Sequence, residues 1–364
     1  MTRSHCYTAQ MAIPTEQIGS IPRPPYLIDA IKSFETGGIT AKALEVLYED
    51  ALRDTITCLE QTDSPVITDG EQTKPSFATY PLTGLHNLAA DGVVIPFADG
   101  HQRQLPRLTG GPFRYAVHAD SYTKAARSYA KRPVKQAVIS ASALSLLYPG
   151  AGLLGYSREE FISDLVDEAE ADIRGALNAG ATCVQIDFTE GRLSLKLDPS
   201  GALLRTFVAL DNQVLDRFSA TDLPKIGVHV CPGGDHDSTH SADVDYATFL
   251  PDLFKLKVGR FYLQMASEKD KKRILRLISQ LAKPQQRVFI GVIDPIDPVV
   301  ETVGRVRDRV LEAAFFLSKE QLGTTDDCGF APFADDISTA RDTAFRKIRA
   351  RVEGTALAAK ELGW

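Results

Sequence analysis

One unit recurs along the chain. A short run of apolar and β-prone residues is closed by polar ones, and a longer stretch follows with apolar positions every three or four residues. The runs cover residues 16–20, 64–68, 134–140, 182–186, the stretch leading into His229-Val230-Cys231, 260–263, 288–293 and 322–325. Helical patterns cover 26–34, 41–61, 157–180, 202–218, 246–255, 269–281, 303–317 and 339–362. Ser157-Arg158-Glu159-Glu160 predicts a capping box at the start of one helix, and Gly180 predicts its end. Between 73 and about 131 the rhythm breaks. There Gly84, Gly92, Gly100, Gly110 and Gly111, set among alternating apolar residues such as VVIPF, predict β-hairpins.

Roughly eight β-runs, each leading to a helix, predict an α/β fold of the TIM (β/α)8 barrel type. The hairpins are expected as an insertion after the second strand, at about 73–131, in a single barrel domain spanning 1–364. A doubly wound open sheet fits less well, because no glycine-rich phosphate loop follows the first run. In a barrel the ends of the runs gather at one mouth. That mouth would hold Ser20, Asp69, Glu71, Asp187, Glu190, His229, Cys231, Gln264, Asp294, Asp327 and Cys328.

A formal charge of -6 argues against nucleic acid or an anionic membrane as the main partner. No apolar run approaches the ~20 residues of a membrane helix. The N-terminal MTRSHCYTAQMAIPTEQ has no apolar signal core, so a cytoplasmic protein is expected. Five scattered cysteines, Cys6, Cys58, Cys183, Cys231 and Cys328, form no disulfide framework. Reduced thiols and a metal site are expected instead.

His229 and Cys231 alternate on one strand and therefore share a face at its carboxyl end, which makes half of a zinc site. The same pair also reads as a buried core His and Cys. Cys328, in TTDDCGF at the end of the last run, adds a second sulfur across the mouth, or else a small buried hydrophobe beside a turn.

Taken in order, IGSIPRP, VITDGEQ, VQIDFTEG, HVCPGG and DDCGF resemble the cobalamin-independent methionine synthase superfamily, in its catalytic C-terminal barrel, over nearly the whole chain. The resemblance implies a zinc-dependent transfer of a methyl or related alkyl group to a thiol, with homocysteine as the default acceptor. It implies His229, Cys231 and Cys328 as zinc ligands. It also implies that Ser20, Glu71 and Asp187 hold the substrate's carboxylate and amino groups, with Glu71 and Asp187 as the catalytic carboxylates. Glu190 would lie towards the donor. The implied partners are a small thiol and an alkyl donor such as a methyl-corrinoid or methylfolate.

Two departures stand out. Where the family's zinc-binding Glu is expected, FYLQMASEKD offers Gln264, a poor ligand beside thiolates. A centre without that carboxylate is formally neutral and is expected to acidify a bound thiol more strongly; Glu268, His236 or His240 are the alternative fourth ligands. The N-terminal half of the folate-dependent synthase is also expected to be missing, which leaves the donor open. The loop at 235–245, DHDSTHSADVD, reads either as a lid over the donor or as a solvated turn. Lys74 and Arg23 near the mouth would meet an anionic donor or a substrate carboxylate. Two other readings share these residues: a zinc-dependent C–S bond-forming alkyl transferase or lyase for another small thiol, and a non-catalytic zinc protein that binds a thiol or a corrinoid partner.

Overall fold

Ser157 Oγ accepts the Glu160 N–H at 3.1 Å, and Glu160 Oε2 accepts the Ser157 N–H at 2.7 Å. The capping box is therefore complete, and the helix it opens runs over Arg158–Asn178. A computed structural model describes residues 12–364. In chain order it has α1 (Pro25–Glu35), α2 (Ala41–Gln61), β1 (Leu88–Ala89), β2 (Val94–Pro96), β3 (Gln102–Gln104), β4 (Arg107–Leu108) and α3 (Ala119–Tyr129). β5 (Lys135–Ile139), α4 (Ala141–Leu144), α5 (Arg158–Asn178), β6 (Cys183–Asp187), α6 (Glu190–Leu197), α7 (Ala202–Leu215) and β7 (Ile226–Val230) follow. The chain continues through β8 (Gly234–Asp235), β9 (Ser238–Thr239), α8 (Tyr246–Leu253), β10 (Arg260–Leu263) and α9 (Lys271–Leu281). It ends with β11 (Arg287–Ile293), α10 (Val303–Ala314), β12 (Leu322–Asp326) and α11 (Arg341–Glu361).

Six of these strands form one sheet in the order β12-β11-β10-β7-β6-β5. Every ladder in it is parallel. The fold is a mixed α/β arrangement with helices between consecutive strands. Alternation divides the sheet's faces. Val184, Ile186, Val228, Val230, Phe261, Leu263 and Ile290 join the main core with helix residues such as Phe161, Phe207, Leu250 and Ile274. The opposite face is mixed: Ile18, Tyr262 and Phe289 pack together there, Lys135 and Gln185 are wholly buried beside them, and Lys135 Nζ donates to Gln185 Oε1 at 2.8 Å and to the Gln17 carbonyl. Burial lowers the Lys135 pKa to about 8.

The first two expected strands are not ladders. Thr15 bridges Thr324 and Ile67 bridges Val134, each as a single parallel bridge at one edge of the sheet. Proline explains the brevity: Pro65 has no N–H to donate, and Pro14 and Pro22 bound the other segment. The expected hairpins at 73–131 occupy only part of that span. β1 pairs with β4 and β2 with β3, both antiparallel, whereas the residues beyond Gly111 include α3. Its alanine-rich sequence, free of glycine, suits a helix better than a hairpin. The short helix α6, directly after the Asp187 strand, was also not expected.

Arg351 of α11 ties the last strand to the chain's beginning. It pairs with Asp326 and donates to Thr15 Oγ1 at 3.0 Å and Gln17 Oε1 at 3.3 Å, all of them buried. Asp326→Ala leaves that guanidinium without its counter-charge. Chemical denaturation is expected to show a loss of about 3–5 kcal/mol, as for other broken buried pairs; a loss under 1 kcal/mol would contradict this.

Among the described residues, no helix is long and apolar enough to cross a membrane. Cys6 and the N-terminal stretch up to residue 11 lie outside the described residues.

Candidate metal centre

Parallel register sets the centre. Ile139 pairs with Asp187, Asp187 with His229, and His229 with Tyr262, so these positions stand at one level across four strands. His229 Nδ1 lies 3.0 Å from Asp187 Oδ1, which also accepts Gln185 Nε2 at 2.7 Å. A carboxylate on one ring nitrogen fixes the tautomer, and Nε2, which lies 3.3 Å from the Asp327 carbonyl, is the nitrogen left to a metal. Burial works against the imidazolium, but the Asp187 hydrogen bond and charge outweigh it and raise the His229 pKa.

Two residues on, Cys231 stands on the same face. Its Sγ lies 3.1 Å from Cys328 Sγ, and both cysteines are free. The Cys328 thiol is pushed well up by its bond to Cys231 and by burial. The ligand atoms of His229, Cys231 and Cys328 all lie within 4.8 Å of one another. One imidazole and two thiols on three sides of a small space fit zinc, and both thiols would ionise on coordination. Gly233 makes room for the loop that follows. It has φ +71°, and a Cβ there would sit 1.7 Å from His240 Nε2.

The cleft beside this cluster is lined by Ser20, Glu71, Asp187, His229 and Cys328 among others. Ser20 accepts the Ala331 N–H at 3.3 Å, and only a glycine at 329 permits its approach, since a Cβ there would meet Ser20 Oγ at 2.0 Å. Glu71 adopts a left-handed backbone, φ +55°. Three groups hold that strained conformation: Asp69 Oδ1 accepts its N–H at 3.0 Å, Arg23 donates to its carbonyl at 2.7 Å, and Lys74 Nζ lies 3.4 Å from its Oε1. Burial raises the Glu71 carboxyl above its ordinary pKa, and Lys74 opposes the rise.

Other lining residues, most of them apolar, lie outside the set that the strand ends predict. Ile95, Phe97, Arg103, Phe77 and Phe333 face the same cleft. Arg103, on β3, is bidentate to Asp235 and to Asp335 and stacks 4.1 Å from the centre of the Phe333 ring. The Ala98 N–H donates to the Thr239 carbonyl at 3.0 Å. The hairpin is thus pinned over the 235–245 loop, which contributes His240 to the cleft and is packed through Asp235, Ser238, His240 and Ser241, while Asp237, Ala242, Asp243 and Asp245 face solvent. Burial, with Lys196 and Arg192 nearby, lowers the His240 pKa to about 4, so its ring is neutral.

Several expected site residues serve other purposes. Asp69 fixes its own loop. Asp327 accepts the N–H groups of Met265, Ala266 and Ser267 at 2.7–2.8 Å, and it buttresses the end of β10 instead of facing the cleft. Asp294 Oδ1 accepts the Ile296 N–H at 3.1 Å and shapes its turn. Arg23 spends both terminal nitrogens on the carbonyls of Glu71, Lys74, Ala331 and Phe333, and its Nε is buried without a partner. Lys74 is buried against Ala137 O, Glu71 and the Tyr80 ring. Neither cation is free for an anion, because buried donors take the nearest acceptors. Glu268, His236 and His240 do not join the three-ligand cluster; His236 lies instead with Asp235 and Asp336. Gln264 is engaged at both ends, its Oε1 by Arg192 at 2.8 Å and its Nε2 by Ser267 at 2.7 Å.

Glu190 does not line the cleft. It is buried at the start of α6, where its Oε1 accepts from Ser140 and also touches Ser142 Oγ, whose one proton goes to Asp211 Oδ2 at 2.7 Å. Burial first, and then the Asp211 charge, push Glu190 up to about 8; burial pushes Asp211 up to about 7. A raised acid keeps its proton in the folded state after the unfolded chain has lost it. Stability is therefore expected to fall as pH rises from about 4.3, the ordinary Glu pKa, to about 8. Glu190→Gln should lose less stability between those limits than the natural chain, measured by urea midpoints at each end. Parallel pH profiles would contradict this.

The model of the family described as "Cobalamin-independent synthase, Catalytic domain" matches residues 13–341. A methionine synthase of Sulfolobus acidocaldarius is 22% identical over 360 residues, covering 96% of this chain and 93% of its own. One from Pyrococcus furiosus is 21% identical over 322 residues, covering 87% and 86%. Among solved structures, a B12-independent methionine synthase from Shewanella sp. W3-18-1, in complex with selenomethionine, is similar with a TM-score of 0.73 at 19% identity. That likeness covers 96% of this chain and 98% of that one. A methyltransferase from Methanosarcina mazei has a TM-score of 0.51 at 14% identity, covering 97% and 94%. These likenesses are of fold.

Proposed function

The chain belongs to the cobalamin-independent synthase family, matched through its catalytic domain, and on that premise we propose that it transfers a methyl group to the thiol of homocysteine at a zinc ion held by His229, Cys231 and Cys328. The observation that carries this reading is the convergence of three side chains, from the ends of two strands, on one small space. The six-strand sheet, a bridge at each edge and the Ile21 N–H bond to the Gly70 carbonyl at 3.0 Å support reading the fold as a closed (β/α)8 barrel. The antiparallel strands β1 to β4 would be an insertion in that single domain.

A free thiol has a pKa of about 8.5, so only a few per cent is ionised at neutral pH. Zinc at the three ligands would supply the positive charge that draws the thiol's proton off. The chain's own groups do the rest. Asp187 Oδ1 orients His229, and both of its described hydrogen bonds fall on that oxygen, which leaves Oδ2 for the substrate's ammonium. Glu71 offers a second carboxylate, and Ser20 a hydroxyl for the carboxylate end. With the amino acid held at both ends, its sulfur is presented to the apolar wall of Phe77, Phe97 and Phe333, which keeps water from the reacting carbon. The transfer breaks the donor–CH3 bond, whose electron pair leaves with the donor, and forms S–CH3 as the thiol proton is lost.

The test is metal analysis followed by titration with thiols, read as proton release and as a change at the zinc absorption edge. Homocysteine is expected to release close to one proton per zinc, and a thiol without an amino group to bind far more weakly. A protein purified without stoichiometric metal, and taking up none, would end this reading. Equal binding of both thiols would favour another acceptor.

A further inference from the structure

Arg192 lies in α6 and is almost wholly buried. Its Nη2 donates to the Val244 carbonyl at 2.6 Å and the Ala242 carbonyl at 3.3 Å, and its guanidinium stands 4.9 Å from the centre of the Tyr246 ring. Nη1 donates to Gln264 Oε1 at 2.8 Å. The other end of that amide is also taken. Gln264 Nε2 donates to Ser267 Oγ, which donates to Asp327 Oδ2, both at 2.7 Å.

The placement of Gln264 makes these bonds matter. Tyr262 pairs with His229 and Leu263 with Val230, and the Gln264 N–H reaches the Val230 carbonyl at 3.4 Å. By alternation Gln264 falls on the face that carries His229 and Cys231, at the next strand end. A polar side chain is thus available beside the three ligands, yet both its polar atoms are engaged elsewhere. Exchanging those partners is costly. Arg192 Nε already has no hydrogen-bond partner, and moving the amide would orphan a second buried N–H.

We propose that Arg192 is a positioning residue for the metal centre: by pinning the side chain at 264 it keeps that position out of the coordination sphere, and the centre stays at three protein ligands with no carboxylate. The inference rests on the reading of His229, Cys231 and Cys328 as ligands. Its consequence is that the residue type at 264 does not decide coordination by itself. A carboxylate there binds a guanidinium more strongly than an amide does, through charge-assisted paired bonds. Gln264→Glu alone therefore stays on Arg192.

The experiment compares the natural full chain with Gln264→Glu, Arg192→Met and the double variant. Zinc affinity is read by chelator competition, and coordination by the visible spectrum of the cobalt-loaded protein. Gln264→Glu is expected to bind zinc within about threefold of the natural chain, with a superimposable cobalt spectrum. The double variant is expected to bind about tenfold more tightly than the two single changes together account for, with a shifted spectrum. A shifted spectrum in Gln264→Glu alone, or strictly additive affinities in the double variant, overturns the proposal. Should the double variant not fold, Gln264→Glu decides by itself on the same spectrum. Zinc retained undiminished in Cys328→Ala marks the ligand reading, not the role of Arg192, as the failed step.

Discussion

Cys328→Ser is expected to abolish stoichiometric zinc and to slow methyl transfer to homocysteine by roughly a thousandfold. A bound cation contributes several kcal/mol to stabilising developing negative charge, and about 4 kcal/mol corresponds to that factor. The fold should survive. Cys328 Sγ has one described side-chain partner, Cys231 Sγ at 3.1 Å, and it follows β12 outside the strand ladder. Metal content by mass spectrometry, single-turnover rate and denaturant midpoint should therefore separate: the first two collapse while the metal-free midpoint moves little. Full metal content in the variant would remove Cys328 from the ligand set. Loss of metal without loss of rate would reduce the ion to a structural role.

Glu71→Gln is expected to raise the KM for homocysteine by about 30- to 150-fold. That is the loss of one charged hydrogen bond worth about 2–3 kcal/mol. A thiol without an amino group should be used as before. Lys74 complicates the variant, because removing the charge on Glu71 leaves a buried ammonium short of its partner. The midpoint of unfolding must be measured beside KM, and comparison of the two thiols removes any common effect of destabilisation. The natural enzyme carries the same information in its pH profile. Burial raises the Glu71 pKa, so the carboxylate is lost as pH falls through a value above the ordinary range near 4.3. The KM for homocysteine should climb on that acid limb, and the KM for the amino-free thiol should stay flat. Equal climbs for both thiols would dissociate Glu71 from the ammonium.

The apolar wall has a different consequence. Because Arg103 is paired twice with carboxylates and Lys74 and Arg23 are buried in internal bonds, the cleft offers an anionic donor no free cation among its described lining residues. On the proposed reading, the donor's reacting end would meet aromatic side chains instead. Arg103 itself holds together the hairpin, the 235–245 loop and the segment after β12, three parts remote in the chain.

The strand and helix periods of this protein are written locally. The alternation at 182–186 and 226–230, the capping box at Ser157 and the stop near Gly180 each depend on neighbours a few residues away, and all are found in the fold. His229 and Cys231 share a face for the same reason, since the pleat has a period of two. Tertiary structure alone decided which polar strand-end residues look into the cleft. Asp187 does so because it pairs in register with His229. Glu190, three residues later, is turned into a buried cluster with Ser140, Ser142 and Asp211, and Asp327, next to Cys328, is spent on the backbone of 265–267. The hairpin wall, the hold of Arg192 on Gln264 and the burial of Lys74 and Arg23 were likewise settled only by packing. A buried polar group takes whichever partner the fold brings within about 3 Å, and such partners lie far away in the chain, where local spacing carries no record of them.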